Sequence, residues 1–164
     1  MAEAVKRAEE HFGAIDVLVD NAGYGYRAAV GEGRGADVRQ LFATHSFGAV
    51  DMIKAALPGM RARRSGVIAG VSSVATRVNA PGSGYCSATK AALEAVSASP
   101  RNKVTPLGIT AMAKEPGAFR TDFARRSLQQ SPDVIADGTE TAGKRRKEND
   151  TADGTQPGAP VTRW

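Results

Sequence analysis

The sequence is poor in sulfur and in aromatic rings. One cysteine among 164 residues rules out a disulfide within the chain and fits a reducing, cytoplasmic setting. Aromatic residues make up only 5% and include one tryptophan, so a core must come from Val, Ile, Leu, Ala and Met. No stretch approaches the roughly 20 apolar residues of a membrane span, and no membrane role is expected. The opening MAEAVKRAEEHFG is charged and lacks an apolar run, so no signal peptide is expected there. No metal site is expected either.

Positive charge is in excess. The formal net charge is +5, with basic runs RARR at 61–64 and KRRK at 144–147. Such a balance can favour nucleic acid, acidic membranes or phosphate-bearing ligands. Neither run is interleaved with aromatics, so both read as solvated charge and nucleic-acid binding is not expected.

Apolar spacing predicts a helix over 2–12, stopped by Gly13, and a buried strand over 15–19. Residues 24–35 hold four glycines and read as loop. A long helix is expected over 36–62, kinked or frayed by Pro58 and Gly59. SGVIAGVSS (65–73) reads as a strand, 74–82 as loop, 85–98 as a helix stopped by Pro100, and 107–117 as a third strand in which Lys114 is out of place. Beyond about residue 128 the chain is polar and rich in Gly and Pro, so 129–164 reads as a loose tail with a short helix near 139–148. Alternating helices and near-continuous apolar strands give an α/β class: a partial, Rossmann-like, doubly wound parallel sheet of about three strands, over 1–128. The strand at 15–19 has no obvious neighbour on its other edge.

Gly23 to Ala28 fits G-x-G-x-x-A after a strand. Gly31, Gly33 and Gly35 break the helix that must follow, so a flexible substrate-side loop is the better reading than a dinucleotide fingerprint.

Four motifs occur in order: DVLVDNAG, SGVIAGVSS, GYCSATKAALEA and EPGAFRTDF. Together they resemble the short-chain dehydrogenase/reductase family over about residues 1–130. The resemblance implies an NAD(P)-dependent oxidoreductase that moves a hydride between nicotinamide and a small carbonyl or alcohol substrate, using NAD or NADP. It implies strands four, five and six of a seven-stranded sheet, in a copy shortened at both ends. The family's T-G-x-x-x-G-x-G stretch does not occur in the chain.

By this resemblance Asn21, Ala22 and Gly23 lie beside the cofactor ribose, and Pro116, Gly117 and Thr121 lie near the nicotinamide. Ser73 bonds the substrate carbonyl, with Ser72 as the adjacent alternative. Lys90 bonds the ribose and lowers the proton donor's pKa. Asp20 stands where the first Asn of N-N-A-G is usual. His45 takes the place of the helix-borne asparagine of a proton relay, and the family tyrosine position is Cys86. The family's dimer helices correspond to 36–62 and 85–98, so a homo-oligomer is implied.

Carbonyl reduction needs an acid within hydrogen-bond reach of the carbonyl oxygen. Cys86 and Lys90 share a helix face at i and i+4. Tyr85, the alternative donor, points about 100° away from Cys86 around the helix and can stand in only if the first helical turn shifts register or unwinds. A thiol has a suitable reference pKa, about 8.5, but ends one bond beyond Cβ and falls short of a phenol's reach. Impaired catalysis is expected. The alternative reading is a non-catalytic remnant, or pseudoenzyme, that acts by binding a partner.

Overall fold

The computed structural model describes residues 1–121, 123, 126–144, 147 and 159–160. Helix α1 (Ala2–Phe12) ends at Gly13, whose φ of 84° suits a residue without Cβ. Strand β1 (Val17–Asp20) follows, with burial alternating along it. Strand β3 (Gly66–Val71) pairs with β1, and β4 (Ile109–Lys114) pairs with β3, both parallel. The sheet order is therefore β1-β3-β4. Parallel neighbours require long crossovers. The first is α2 (Gly35–Phe42), a π-helical turn (Ala43–Phe47) and α3 (Gly48–Arg63). The second is α5 (Gly84–Ala98) with the short α6 (Arg101–Val104).

One face of the sheet carries the core. Leu18, Ile68 and Ala111 stand side by side in the parallel register and pack with Val5, Ile53, Ala56, Met60, Val104 and Ile109. On that face two glycines in β3 let the helices close in. A Cβ on Gly66 would sit 2.7 Å from Met60 of α3, and one on Gly70 would collide with Ser97 of α5. The opposite face is open at its edge: Val17 and Val19 of β1 are 55% and 54% exposed. Among the described residues no strand covers that edge.

Several expectations need correction. The stretch 24–35 is more than loop, because Gly25–Arg27 forms strand β2 and Val30–Glu32 a 3-10 turn. Its partner is β6 (Leu128–Gln130), which lies in the stretch that composition marks as polar tail. Ser131 donates to the Glu32 carbonyl at 2.5 Å, and the Ile135 N–H donates to Glu32 Oε1 at 3.0 Å. Pro58 does not end its helix, which runs on to Arg63 and stops at Arg64 with φ 53°. The irregularity falls earlier, at the π-helical turn. Within 74–82, expected as loop, lies helix α4 (Ala75–Val78). Near 139–148, where a short helix is expected, the described residues are helical, a π-helical turn over Thr139–Gly143 and α-helical assignment at Lys144 and Lys147. Lys114 is exposed at the end of β4, so it never enters the core.

The basic runs are exposed where they are described, and part of the first also braces the backbone. Arg63 and Arg64 donate to the carbonyls of Ile15 and Pro106 at 2.7 and 2.8 Å. Of 144–147, residues 145 and 146 lie outside the described residues. A further two-residue pair, β5 (Phe119–Arg120) with β7 (Ala159–Pro160), is also parallel. Among the described residues no helix is long and apolar enough to cross a membrane.

Candidate active site

The site lies where β1 and β3 end and α5 begins. Asn21 and Ala22 are exposed just past β1. At Gly23 the backbone passes beneath two side chains. A Cβ there would lie 3.0 Å from His45 Nε2 and 3.5 Å from Lys90 Nζ. Glycine at this position lets the imidazole and the ammonium group come close together over the chain.

His45 is set by the π-helical turn. The ring is buried and stands edge-on to Tyr24. Nε2 accepts the Tyr24 N–H at 3.0 Å, and Nδ1 lies 2.9 Å from Thr89 Oγ1. Because Nε2 accepts, the proton belongs on Nδ1. Thr89 passes the chain on by donating to the Cys86 carbonyl at 2.9 Å. Burial, and then the nearby Lys90 charge, lower the His45 pKa to about 4. At neutral pH the ring is uncharged and both nitrogens are engaged within the protein.

Lys90 Nζ donates to the Val71 carbonyl at 2.7 Å, at the end of β3. Burial lowers its pKa and the neighbouring Cys86 opposes that shift. Cys86 Sγ accepts the Tyr26 N–H at 3.0 Å and donates back to the Tyr26 carbonyl at 3.2 Å. Burial raises the thiol pKa. The Cys86 sulfur is thus tied to the β2 backbone. Tyr85 turns elsewhere: its hydroxyl donates to the Val30 carbonyl at 2.6 Å, and its ring lies against Gly33. That is the direction helix geometry gives it.

Past β3 the two serines differ. Ser72 is buried, and its hydroxyl donates to the Lys90 carbonyl at 3.2 Å. Ser73 is half-buried and its Oγ accepts the Ala75 N–H at 3.1 Å. The loops after β3 and β4 are joined, because the Val74 N–H donates to the Pro116 carbonyl at 3.2 Å. Among the described residues no atom lies within 4 Å of a Cβ placed on Gly117, so that turn is open. Thr121 is exposed, and its Oγ1 accepts the Phe123 N–H at 3.2 Å.

The structure thus brings Gly23, His45, Cys86 and Lys90 into one cluster. It joins the Ser73 loop to Pro116, turns Tyr85 away to the Val30 carbonyl, and leaves Thr121 with a local partner. Three participants escape sequence reasoning: Thr89 as the link between His45 and Cys86, the Tyr26 backbone, and the burial of Asp20. Thr89 stands three residues after Cys86, a spacing that allows the observed bond but does not announce it. Among the described residues Asp20 Oδ2 is buried without a partner, and burial raises the Asp20 pKa to about 6. Beside it is a cavity of about 300 Å³ reached by Ala22, Thr44, His45 and Met52. Among the described residues no group of His, Cys, Asp and Glu could hold a metal ion.

The family model for short chain dehydrogenases matches residues 1–132. The oxidoreductase BOA17 of Botryotinia fuckeliana is 39% identical over 127 residues, covering 77% of this chain and 46% of that protein. The crystal structure of a short-chain dehydrogenase from Streptomyces avermitilis superposes with a TM-score of 0.82 at 35% identity, over 89% of this chain and 54% of that one. A gluconate 5-dehydrogenase from Burkholderia cenocepacia, solved with NADP and tartrate, gives a TM-score of 0.72 at 30% identity, over 76% of this chain and 49% of that one. The chain spans about half the length of the curated relatives it matches.

Proposed function

The chain belongs to the short-chain dehydrogenase family, and we propose on that premise that it carries the nicotinamide and carbonyl end of an NAD(P)-dependent oxidoreductase site, slowed by the loss of its proton donor. The observation that carries this reading is the meeting of Lys90 and His45 over Gly23, with Cys86 one helical turn before Lys90 and close enough to bias its charge. Two local features support a fit to a cofactor. Gly23 keeps a passage clear of Cβ beside the Lys90 ammonium, and Gly117 leaves the facing turn open. Asn21, Ala22, Gly23, Lys90, Pro116, Gly117 and Thr121 hold the cofactor, NAD or NADP. When bound, that cofactor supplies the hydride.

The chain's own residues do the rest. Ser73 offers a hydroxyl to the carbonyl oxygen of a small-molecule carbonyl or alcohol. Lys90 keeps positive charge beside the helix face where an acid must stand. Cys86 holds the acid's position, but its thiol is neutral, short and bonded to the Tyr26 backbone. Proton delivery is therefore the weak step. His45 does not relieve it, because its two nitrogens serve Tyr24 and Thr89. A reducing cytoplasm suits the free thiol, and association through the helices at 36–62 and 85–98 belongs to the same reading.

A second reading, a pseudoenzyme, draws on that internal bonding of Cys86 and His45. Thermal melts with excess NADPH or NADH separate the two. The expected result is an upward shift of the midpoint with one of them, since a ligand that binds only the folded state stabilises it. A cooperative melt with no shift favours the second reading.

A further inference from the structure

We propose that Arg77 is a positioning residue, which holds in register the three segments that carry Ser73, Lys90 and the Pro116–Gly117 turn. The inference rests on reading those residues as the carbonyl and nicotinamide contacts.

Arg77 lies in α4, four residues after Ser73. Its guanidinium grips Glu115 with two bonds, Nε to Oε2 at 3.0 Å and Nη2 to Oε1 at 2.7 Å. The same Nη2 donates to Glu94 Oε1 at 2.5 Å. Glu115 directly precedes Pro116. Glu94 lies one helical turn beyond Lys90 on α5, and its Oε2 accepts from Ser72 Oγ at 3.4 Å. The Ser73 end is fixed as well, because Thr76 Oγ1 donates to the Ser73 carbonyl at 2.9 Å. One planar, permanently charged fork thus joins α4, α5 and the loop after β4. Arginine suits this because its fork reaches two carboxylates in fixed directions. The arrangement depends on it in a second way. Glu94 and Glu115 are drawn to the same Arg77 Nη2. Without Arg77 their like charges push α5 and the Pro116 loop apart.

An exposed ion pair adds little to stability. Arg77 side chain is 63% exposed, so its loss is expected to move the site while leaving the melting midpoint nearly unchanged. That separates positioning from scaffolding.

The test is amide NMR of the chain with Arg77→Ala, Glu115→Gln and the exchange Arg77→Glu with Glu115→Arg. Arg77→Ala is expected to shift Lys90 and Gly117, which lie on other segments. Glu115→Gln is expected to shift Ser73. The exchange, which restores the pairing, is expected to bring all three signals back, whereas Arg77→Glu alone does not. With NADPH as the probe, Arg77→Ala weakens binding about tenfold and the exchange recovers it. Shifts confined to residues 73–79, or not reversed by the exchange, overturn the proposal. So does a failure of Arg77→Ala to fold, which makes the residue a stability element. If NADPH does not bind the unsubstituted chain, the cofactor reading falls, and the spectra without ligand still decide the coupling.

Discussion

At the scale of single residues, burial matters more than residue type. Asp20 and His45 flank the same cavity and are shifted in opposite senses by desolvation. Asp20 rises from 3.8 to about 6. Between those values the folded state holds a proton that the unfolded state has released, so rising pH costs stability. His45 falls from 6.5 to about 4. In that window the unfolded state takes up the proton first, so falling pH costs stability. Asp20→Asn removes only the first effect. It is expected to stabilise the fold by roughly 2 kcal/mol at neutral pH, a gain that fades as pH falls through the carboxyl's two pKa values. Melts across that range check this, and an equal gain at all pH values contradicts it. The sequence marks Asp20 as a departure from N-N-A-G. It gives no sign of the buried, partnerless oxygen, because that depends on what α3 and the Ala22 turn place around it.

At the scale of elements, helix and strand periodicity is legible where one face is buried. The spans of α1, α5 and β3 lie within about two residues of what spacing predicts. Strand β2 is not legible. Three residues among glycines carry no period, and their partner lies about 100 residues away, so a contact rather than a pattern makes the strand. The π-helical turn is equally silent in sequence, yet it sets His45 against Tyr24 and Thr89. Such turns often sit at functional sites. Pro58 continues its helix because it is exposed and the burial of Ile53, Ala56 and Met60 outweighs one missing N–H bond. Pro58→Ala should therefore stabilise the chain by roughly 1–3 kcal/mol, read as a higher denaturant midpoint. Gly70→Ala has the opposite expectation. Its methyl group meets Ser97, α5 must retreat from β3, and stability drops by roughly 1–3 kcal/mol. An unchanged midpoint for Gly70→Ala contradicts the close approach of α5.

At the scale of the whole molecule, the sheet has one finished side and one open edge. Val17 and Val19 present apolar surface beside the outer edge of β1, which no strand among the described residues pairs. Exposed apolar edges invite association. The unsubstituted chain is expected to self-associate as concentration rises, and Val19→Lys to reduce this, as read by light scattering after gel filtration. A concentration-independent monomer in both forms contradicts it. This edge is legible in the sequence because only three strand patterns occur there, and the four ordered motifs are legible for the same reason of spacing. What spacing cannot give is where the Cys86 sulfur points.

On the proposed reading the nicotinamide end of the site is present and Cys86 limits proton delivery. The most direct measurement compares NADPH- and NADH-dependent carbonyl reduction by the chain and by its Cys86→Tyr form. A positioned general acid is worth about 10²- to 10⁴-fold, so the expected result is a rate gain of that order, abolished by Lys90→Ala in the same background. Equal rates in two forms that both bind the cofactor would contradict the claim and remove the proton donor from the Cys86 position.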